Sequence, residues 1–224
     1  MVNITALIIS CQEPQLNRCL AAVRSQSIPF STVIHMDSIR PECDAFNRGL
    51  EHVATDLVMK IDGDVILYPN AVEIVLKEIP EKDPEVYGYN FRLYDDFLKG
   101  NIRGVGILRT EAVKKSRYLN ILGNDVHFAR QMAKFGYGRR NHWSVIGTHF
   151  ESPDEFQVFR RFYSAGCKNP YLFTTKSFEK HYPNPLYELA GKASEWGSAK
   201  RYYPTSHDIE FDRKMYAEFR NGTK

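Results

Sequence analysis

Two carboxylates separated by one glycine, Asp62-Gly63-Asp64, follow the apolar run Val58-Met59-Lys60-Ile61 and lead into Val65-Ile66-Leu67. Read as one continuous strand, with its period of two, this stretch sends Asp62 and Asp64 to the same face. Like charges that close repel, and a divalent cation is the simplest compensation. Mg²⁺ and Mn²⁺ take hard oxygen ligands and share their coordination with phosphate. Gly63 leaves room for a ligand to approach the backbone. The plainer alternative is a surface turn in which Asp-Gly-Asp ends a strand.

The elements that carry the motif weigh on that choice. Ile4–Ser10 is a short β-branched apolar run and reads as a buried strand. Pro14 opens a helix with Leu16, Cys19, Leu20 and Val23 on one face. A second strand over 32–36 stops at Asp37-Ser38. A helix over 41–53 turns Phe46, Leu50 and Val53 inward, and a third strand over 57–61 delivers Asp62. Strands and helices alternating at these spacings predict an α/β fold with a mostly parallel, right-handed, doubly wound sheet flanked by helices. In such sheets ligands lie beyond the carboxyl ends of the strands. Three of those ends carry polar groups: Ser10-Cys11-Gln12-Glu13, Asp37-Ser38 and Asp62-Gly63-Asp64. Their convergence favours a ligand site over a surface turn.

Downstream, Asn70 is expected to cap a helix over 70–78, and 85–93 and 105–109 read as strands. Thr110 is expected to cap a short helix. Gly123-Asn124-Asp125 opens another helix, closed by Gly136. Residues 137–146 read as extended, ending in Gly147-Thr148-His149-Phe150. Ser152 and Glu155 have the spacing of a capping box for a helix to about 165, and further helices are expected near 186–196 and 209–220. Residues 1–150 form the expected core. Residues 151–224 form a helical C-terminal extension, serving as acceptor side, lid or partner surface in one compact unit with it.

The 224 residues are 43% hydrophobic and 25% charged, an ordinary globular balance. A net charge of +3 with interspersed signs argues against a nucleic-acid partner. No apolar run reaches the ~18–20 residues that cross a bilayer, and the start lacks the basic region of a signal peptide. A cytoplasmic chain is expected, compatible with peripheral membrane contact. Cys11, Cys19, Cys43 and Cys167 form no Cys-x-x-Cys pair, which argues for free thiols and against zinc.

The order of features over residues 3–150 resembles the family 2 glycosyltransferases with the GT-A fold. The resemblance rests on a Glu in the turn after the first strand, a second strand ending in Asp37 and Asn47-Arg48-Gly49-Leu50. It continues through Ala54-Thr55-Asp56 before the Asp-x-Asp, Pro69-Asn70-Ala71 after it, and Gly123-Asn124-Asp125 ahead of a helix ending in Gly136-Tyr137. Asn124 stands where the family commonly has Glu before the Asp.

This resemblance implies a hexosyltransferase-type enzyme using a nucleotide-diphosphate-sugar donor, a UDP-sugar ahead of a GDP-sugar, with a Mn²⁺ or Mg²⁺ ion. The acceptor would be a hydroxyl of a glycan, a lipid-linked sugar or a protein. Asp37 would accept a hydrogen bond from the nucleobase, with Ser10 and Glu13 closing around it and Asn47 and Lys60 near the nucleotide. Asp62 would face the ribose or a metal-bound water, Asp64 would bind the metal, and His149 would be a further ligand. Asp125 would be the general base of an inverting transfer through an oxocarbenium-like transition state.

Other readings compete. Asp62-Gly63-Asp64-Val65-Ile66 also resembles the first motif of haloacid-dehalogenase-type phosphatases, with Asp62 as nucleophile and Asp64 as acid. That motif normally ends the first core strand, whereas two strand–helix units precede it here. A nucleotidyltransferase would need a Gly-rich loop in the first turn, which is absent. A non-catalytic sugar- or partner-binding module is the third alternative. Gln157, Arg160, Arg161 and Lys168, with the aromatics from Tyr163 to Trp196, read as a solvated basic face and as packing.

Overall fold

A computed structural model of the chain describes residues 3–121, 123–149, 153–169, 175–178, 184–200 and 209–222. The chain divides into two compact units, one of residues 1–119 and 124–152, the other of 120–123 and 153–224.

In the first unit, β1 (Ile4–Ser10), α1 (Leu16–Arg24), β2 (Thr32–Asp37), α2 (Glu42–Glu51) and β3 (Leu57–Asp62) alternate as the hydrophobic pattern indicates. β1 pairs in parallel with both β2 and β3 and is buried along its whole length, hence its unbroken apolar run. Ile4, Ala6 and Ile8 pack in one core with Cys19 and Val23 of α1. Leu7 and Ile9 pack in a second core with Phe46 and Leu50 of α2.

The chain then forms β4 (Val65–Leu67), α3 (Ala71–Glu78), β5 (Val86–Asp95), β6 (Gly100–Arg109), α4 (Thr110–Val113), α5 (Asn124–Lys134) and β7 (Gly138–His149). The seven strands make one sheet in the order β2-β1-β3-β6-β5-β7-β4. Parallel pairing prevails from β2 to β3, and the remainder is mixed. β6 runs antiparallel to both β3 and β5, β7 is parallel to β5, and β4 is antiparallel to β7. The cause is connection length: the short loop from β5 to β6 makes a hairpin and permits only antiparallel pairing.

Helix ends depart in detail from expectation. Asn70 occupies the cap position of α3 without a side-chain hydrogen bond, and Thr110 is the first residue of α4 rather than its cap. Gly136, at φ +83°, ends α5 as its position indicated.

The second unit holds α6 (Glu155–Lys168), α7 (Thr175–Phe178), α8 (Pro185–Lys200) and α9 (Ile209–Gly222). Its capping box is made by Asp154 and Gln157, two residues on from the pair Ser152 and Glu155. Ser152 lies outside the described residues. Phe159 is fully buried among Tyr163, Trp196, Tyr216 and Phe219, and Arg160 reaches the buried Asp212 at 3.1 Å. These aromatics form the unit's core. Tyr171, Phe173 and Tyr182 lie outside the described residues. Among the described residues no helix is long and apolar enough to cross a membrane.

Candidate active site

The carboxyl ends of β1, β2 and β3 meet as their parallel register demands. Ser10 and Asp37 are direct partners, and the buried Ser10 hydroxyl donates to Asp37 Oδ1 at 2.5 Å. Ser10 Oγ also lies 2.8 Å from His35 Nε2. The Ser38 hydroxyl donates to Asp37 Oδ2 at 3.2 Å, so both oxygens of this exposed carboxylate are oriented. Both bends here are strained: Gln12 and Ser38 hold φ +65° and +56°, a region that non-glycine residues rarely adopt. Glu13 turns back to accept the Cys11 amide at 2.5 Å. Gly63 packs under that turn. A Cβ there would fall 2.8 Å from Glu13 Oε2 and 3.0 Å from Ser10 Cβ, so a larger residue would have to push the Glu13 carboxylate and its turn aside.

The two carboxylates of the motif take different partners. β3 ends at Asp62, Gly63 and Asp64 form a turn, and β4 leaves to pair elsewhere, so strand alternation does not carry across the motif. Asp62, 54% exposed, accepts from Lys60 Nζ at 2.5 Å, and Lys60 also reaches Glu42 at 2.9 Å. Burial alone would push the Lys60 ammonium down, but the Asp62 and Glu42 carboxylates outweigh it and hold the pKa well above the usual lysine value.

Asp64 instead lies beside His149, Oδ2 to Nε2 at 3.4 Å, because β4 and β7 pair Val65 opposite His149. On its other side β7 pairs His149 opposite Asp95, whose Oδ2 is 2.7 Å from His149 Nδ1. Asp95 is fully buried, and its Oδ1 accepts the Leu98 amide at 2.7 Å. A carboxylate only accepts, so Nδ1 carries the hydrogen, and in the neutral ring the Nε2 lone pair turns to Asp64. Two acceptors facing each other require a proton or a cation between them. Two cis ligands of an octahedral ion at ~2.1 Å stand about 3 Å apart, close to the separation seen. The pair therefore fits a small divalent cation. Among the described residues no group of three His, Cys, Asp or Glu side chains converges.

Asp125 lies exposed in the first turn of α5. One turn on, Phe128 stacks on Tyr118 at 4.3 Å and meets Tyr87 edge-on at 6.0 Å, anchoring the helix start. Burial pushes the Tyr118 hydroxyl up to about 12. The Lys60 charge opposes that shift and the Asp125 charge adds to it, so both act on one ring. Asn47 has another occupation than a nucleotide contact: its Nδ2 donates to the Tyr118 carbonyl at 2.9 Å and its Oδ1 accepts the Tyr118 amide at 3.0 Å. Sequence reasoning missed Asp95, whose one local signal is an acid closing an apolar strand, and missed the Asn47–Tyr118 clamp.

The family model described as glycosyl transferase family 2 matches residues 29–164, more than half of the chain. The chain belongs to glycosyl transferase family 2. Its GT-A fold is shared with the mannosyltransferase PcManGT from Pyrobaculum calidifontis, solved with GDP-Man and Mn²⁺. That match has a TM-score of 0.52 at 13% identity, covering 99% of this chain and 83% of that one. TarS from S. aureus matches at the same TM-score and 12% identity, covering 89% of this chain and 54% of its own. No curated protein matches. Family membership makes this chain a glycosyltransferase and leaves the phosphatase reading of Asp62 and Asp64 without support.

Proposed function

We propose that the protein transfers a hexose from a nucleotide-diphosphate-sugar to an acceptor hydroxyl, with a Mn²⁺ or Mg²⁺ ion and inversion at the anomeric carbon. The observation that carries the reading is the row Asp64–His149–Asp95, in which a buried carboxylate presents an imidazole nitrogen to a second carboxylate. The neighbouring mannosyltransferase with GDP-Man and Mn²⁺ supports the same donor chemistry. A GDP-sugar thereby stands beside a UDP-sugar as donor.

Asp64 and His149 would hold the cation, which would supply positive charge to offset that developing on the diphosphate leaving group. Asp95 fixes the His149 tautomer. Asp37, oriented by Ser10 and Ser38, accepts an N–H of the nucleobase, and Glu13 holds the turn around it. Asp62, paired with Lys60, faces the ribose or a metal-bound water. Asp125 takes the proton from the acceptor hydroxyl as that oxygen attacks opposite the diphosphate. The second unit serves as acceptor side, lid or partner surface.

Thermal unfolding with UDP or GDP, each with Mn²⁺ or with EDTA, tests this. A ligand selective for the native state raises the melting temperature. A rise with one nucleotide that EDTA removes, and that Asp64→Ala and His149→Ala each diminish, is expected. A rise indifferent to EDTA and to both substitutions would remove the metal from the reading.

A further inference from the structure

The face of the sheet that carries Lys60 and Asp62 continues across β6 and β5 to β7. Lys60 pairs with Gly106, Gly106 with Asn90, and Asn90 with Asn141, a row across four strands whose side chains share one face. Asn90 Nδ2 donates to Asn141 Oδ1 at 2.9 Å. Gly106 leaves a niche for the Arg139 guanidinium, whose Nη2 would lie 2.8 Å from a Cβ there. Two residues further along the strands stand Asp62 on β3 and Arg92 on β5, and Arg92 pairs directly with Arg103 on β6.

Arginines opposite each other on a strand pair repel. Among the described residues neither Arg92 nor Arg103 meets a carboxylate. The partner of Arg92 is the ring of Trp143, with the guanidinium carbon 3.8 Å from its centroid. Trp143 is 77% exposed. It sits where β7 advances by four residues, from Asn141 to Val145, while β5 advances by two, from Asn90 to Arg92. Strand alternation there puts His142 inward, stacked on Phe91 at 4.6 Å, and Trp143 outward over Arg92.

We infer that this surface is an acceptor subsite for a sugar bearing an anionic group, phosphate or carboxylate. The sugar packs on Trp143 and the anion sits between Arg92 and Arg103. The inference rests on the transferase reading. An exposed, guanidinium-backed indole offers a fixed apolar plate for the C–H face of a sugar ring. Two arginines without acids match the oxygen fork of phosphate or carboxylate. With strands ~4.8 Å apart, Arg92 stands two strands, about 10 Å, from Asp62, so a bound sugar lies beside the proposed donor site.

The test uses the full chain and follows tryptophan fluorescence and calorimetric binding of glucose, glucose 6-phosphate and glucuronic acid. The two anionic sugars are expected to bind at least about tenfold tighter than glucose, the effect of one charge-assisted hydrogen bond. R92Q and R103Q should each erase that preference, and W143F should weaken all three sugars while keeping it. Equal binding of the three, or a preference that survives both arginine substitutions, overturns the inference. So does binding confined to phosphatidylglycerol vesicles, which would make the patch a membrane contact. The melting shift with nucleotide and Mn²⁺, read on the same samples, separates the two failures. If it persists without the anionic preference, this inference alone falls. If it is absent while the preference holds, the transferase reading falls and the surface is no acceptor site.

Discussion

Asp95 and His149, 54 residues apart in sequence, are paired across β5 and β7 with Oδ2 2.7 Å from Nδ1. Asp95 has no solvent exposure, so its charge is stabilised by this contact and by the Leu98 amide. A buried carboxylate with two fixed donors holds the ring of His149 in one orientation and one tautomer.

Asp95→Asn keeps the size of the side chain but loses the charge that orients the imidazole. Mn²⁺ affinity should fall about 10–100-fold, the usual cost of removing such a partner. Titration by electron paramagnetic resonance reads this directly, with circular dichroism confirming the fold. Unaltered affinity would mean that Nε2 does not meet the ion.

Gly63→Ala places a methyl group against Glu13 Oε2 and Ser10 Cβ. Overpacking of this kind costs about 1–3 kcal/mol, and the melting temperature should drop by several degrees. Nucleotide binding should weaken too, because the carbon displaces the turn that carries Glu13. A variant as stable as the parent, with full nucleotide binding, would show that the turn moves aside freely.

Asp125→Asn is expected to leave the metal-dependent melting shift with nucleotide intact. Transfer to acceptor should fall about 10²–10⁴-fold, the range for loss of a general base. Single-turnover assays with a nucleotide sugar separate the two steps, and full transfer would return Asp125 to an ordinary helix-start aspartate.

Cys19 lies in the core beneath the motif. Burial first, and then the charges of Asp64, Asp62 and Glu13, push its thiol from 9.0 up to about 12. Between those values the unfolded chain has lost the proton while the native chain keeps it, so stability declines as pH rises through that window. Cys19→Ala should flatten the decline in alkaline denaturation curves. At pH 8 in the native protein, iodoacetamide should label the part-exposed Cys11 and Cys167 and spare Cys19, as peptide mass spectrometry would show.

The local patterns were legible in order. β1 to β3 and α1 to α3 follow from apolar periodicity over a few residues each, and Gly136 ends α5 because a positive φ there favours glycine. Ser10, Asp37 and Gly63 stand together because parallel strands bring their ends into line. The Asp-Gly-Asp spacing reads as a continued strand, but Gly63 and Asp64 form a turn, so the period of two stops at Asp62.

By itself, then, the sequence determined the first five elements, the polar strand ends and the identity of the candidate ligands. Those depend on side-chain type and on contacts a few residues away. Tertiary structure alone decided that Asp62 goes to Lys60 and Asp64 to His149, that Asp95 stands behind the histidine, and that Asn47 clamps Tyr118. It also decided that Trp143 lies over Arg92. Several of these depend on β4 and β5 both pairing with β7, a register set by burial over the whole sheet and carried by no local period.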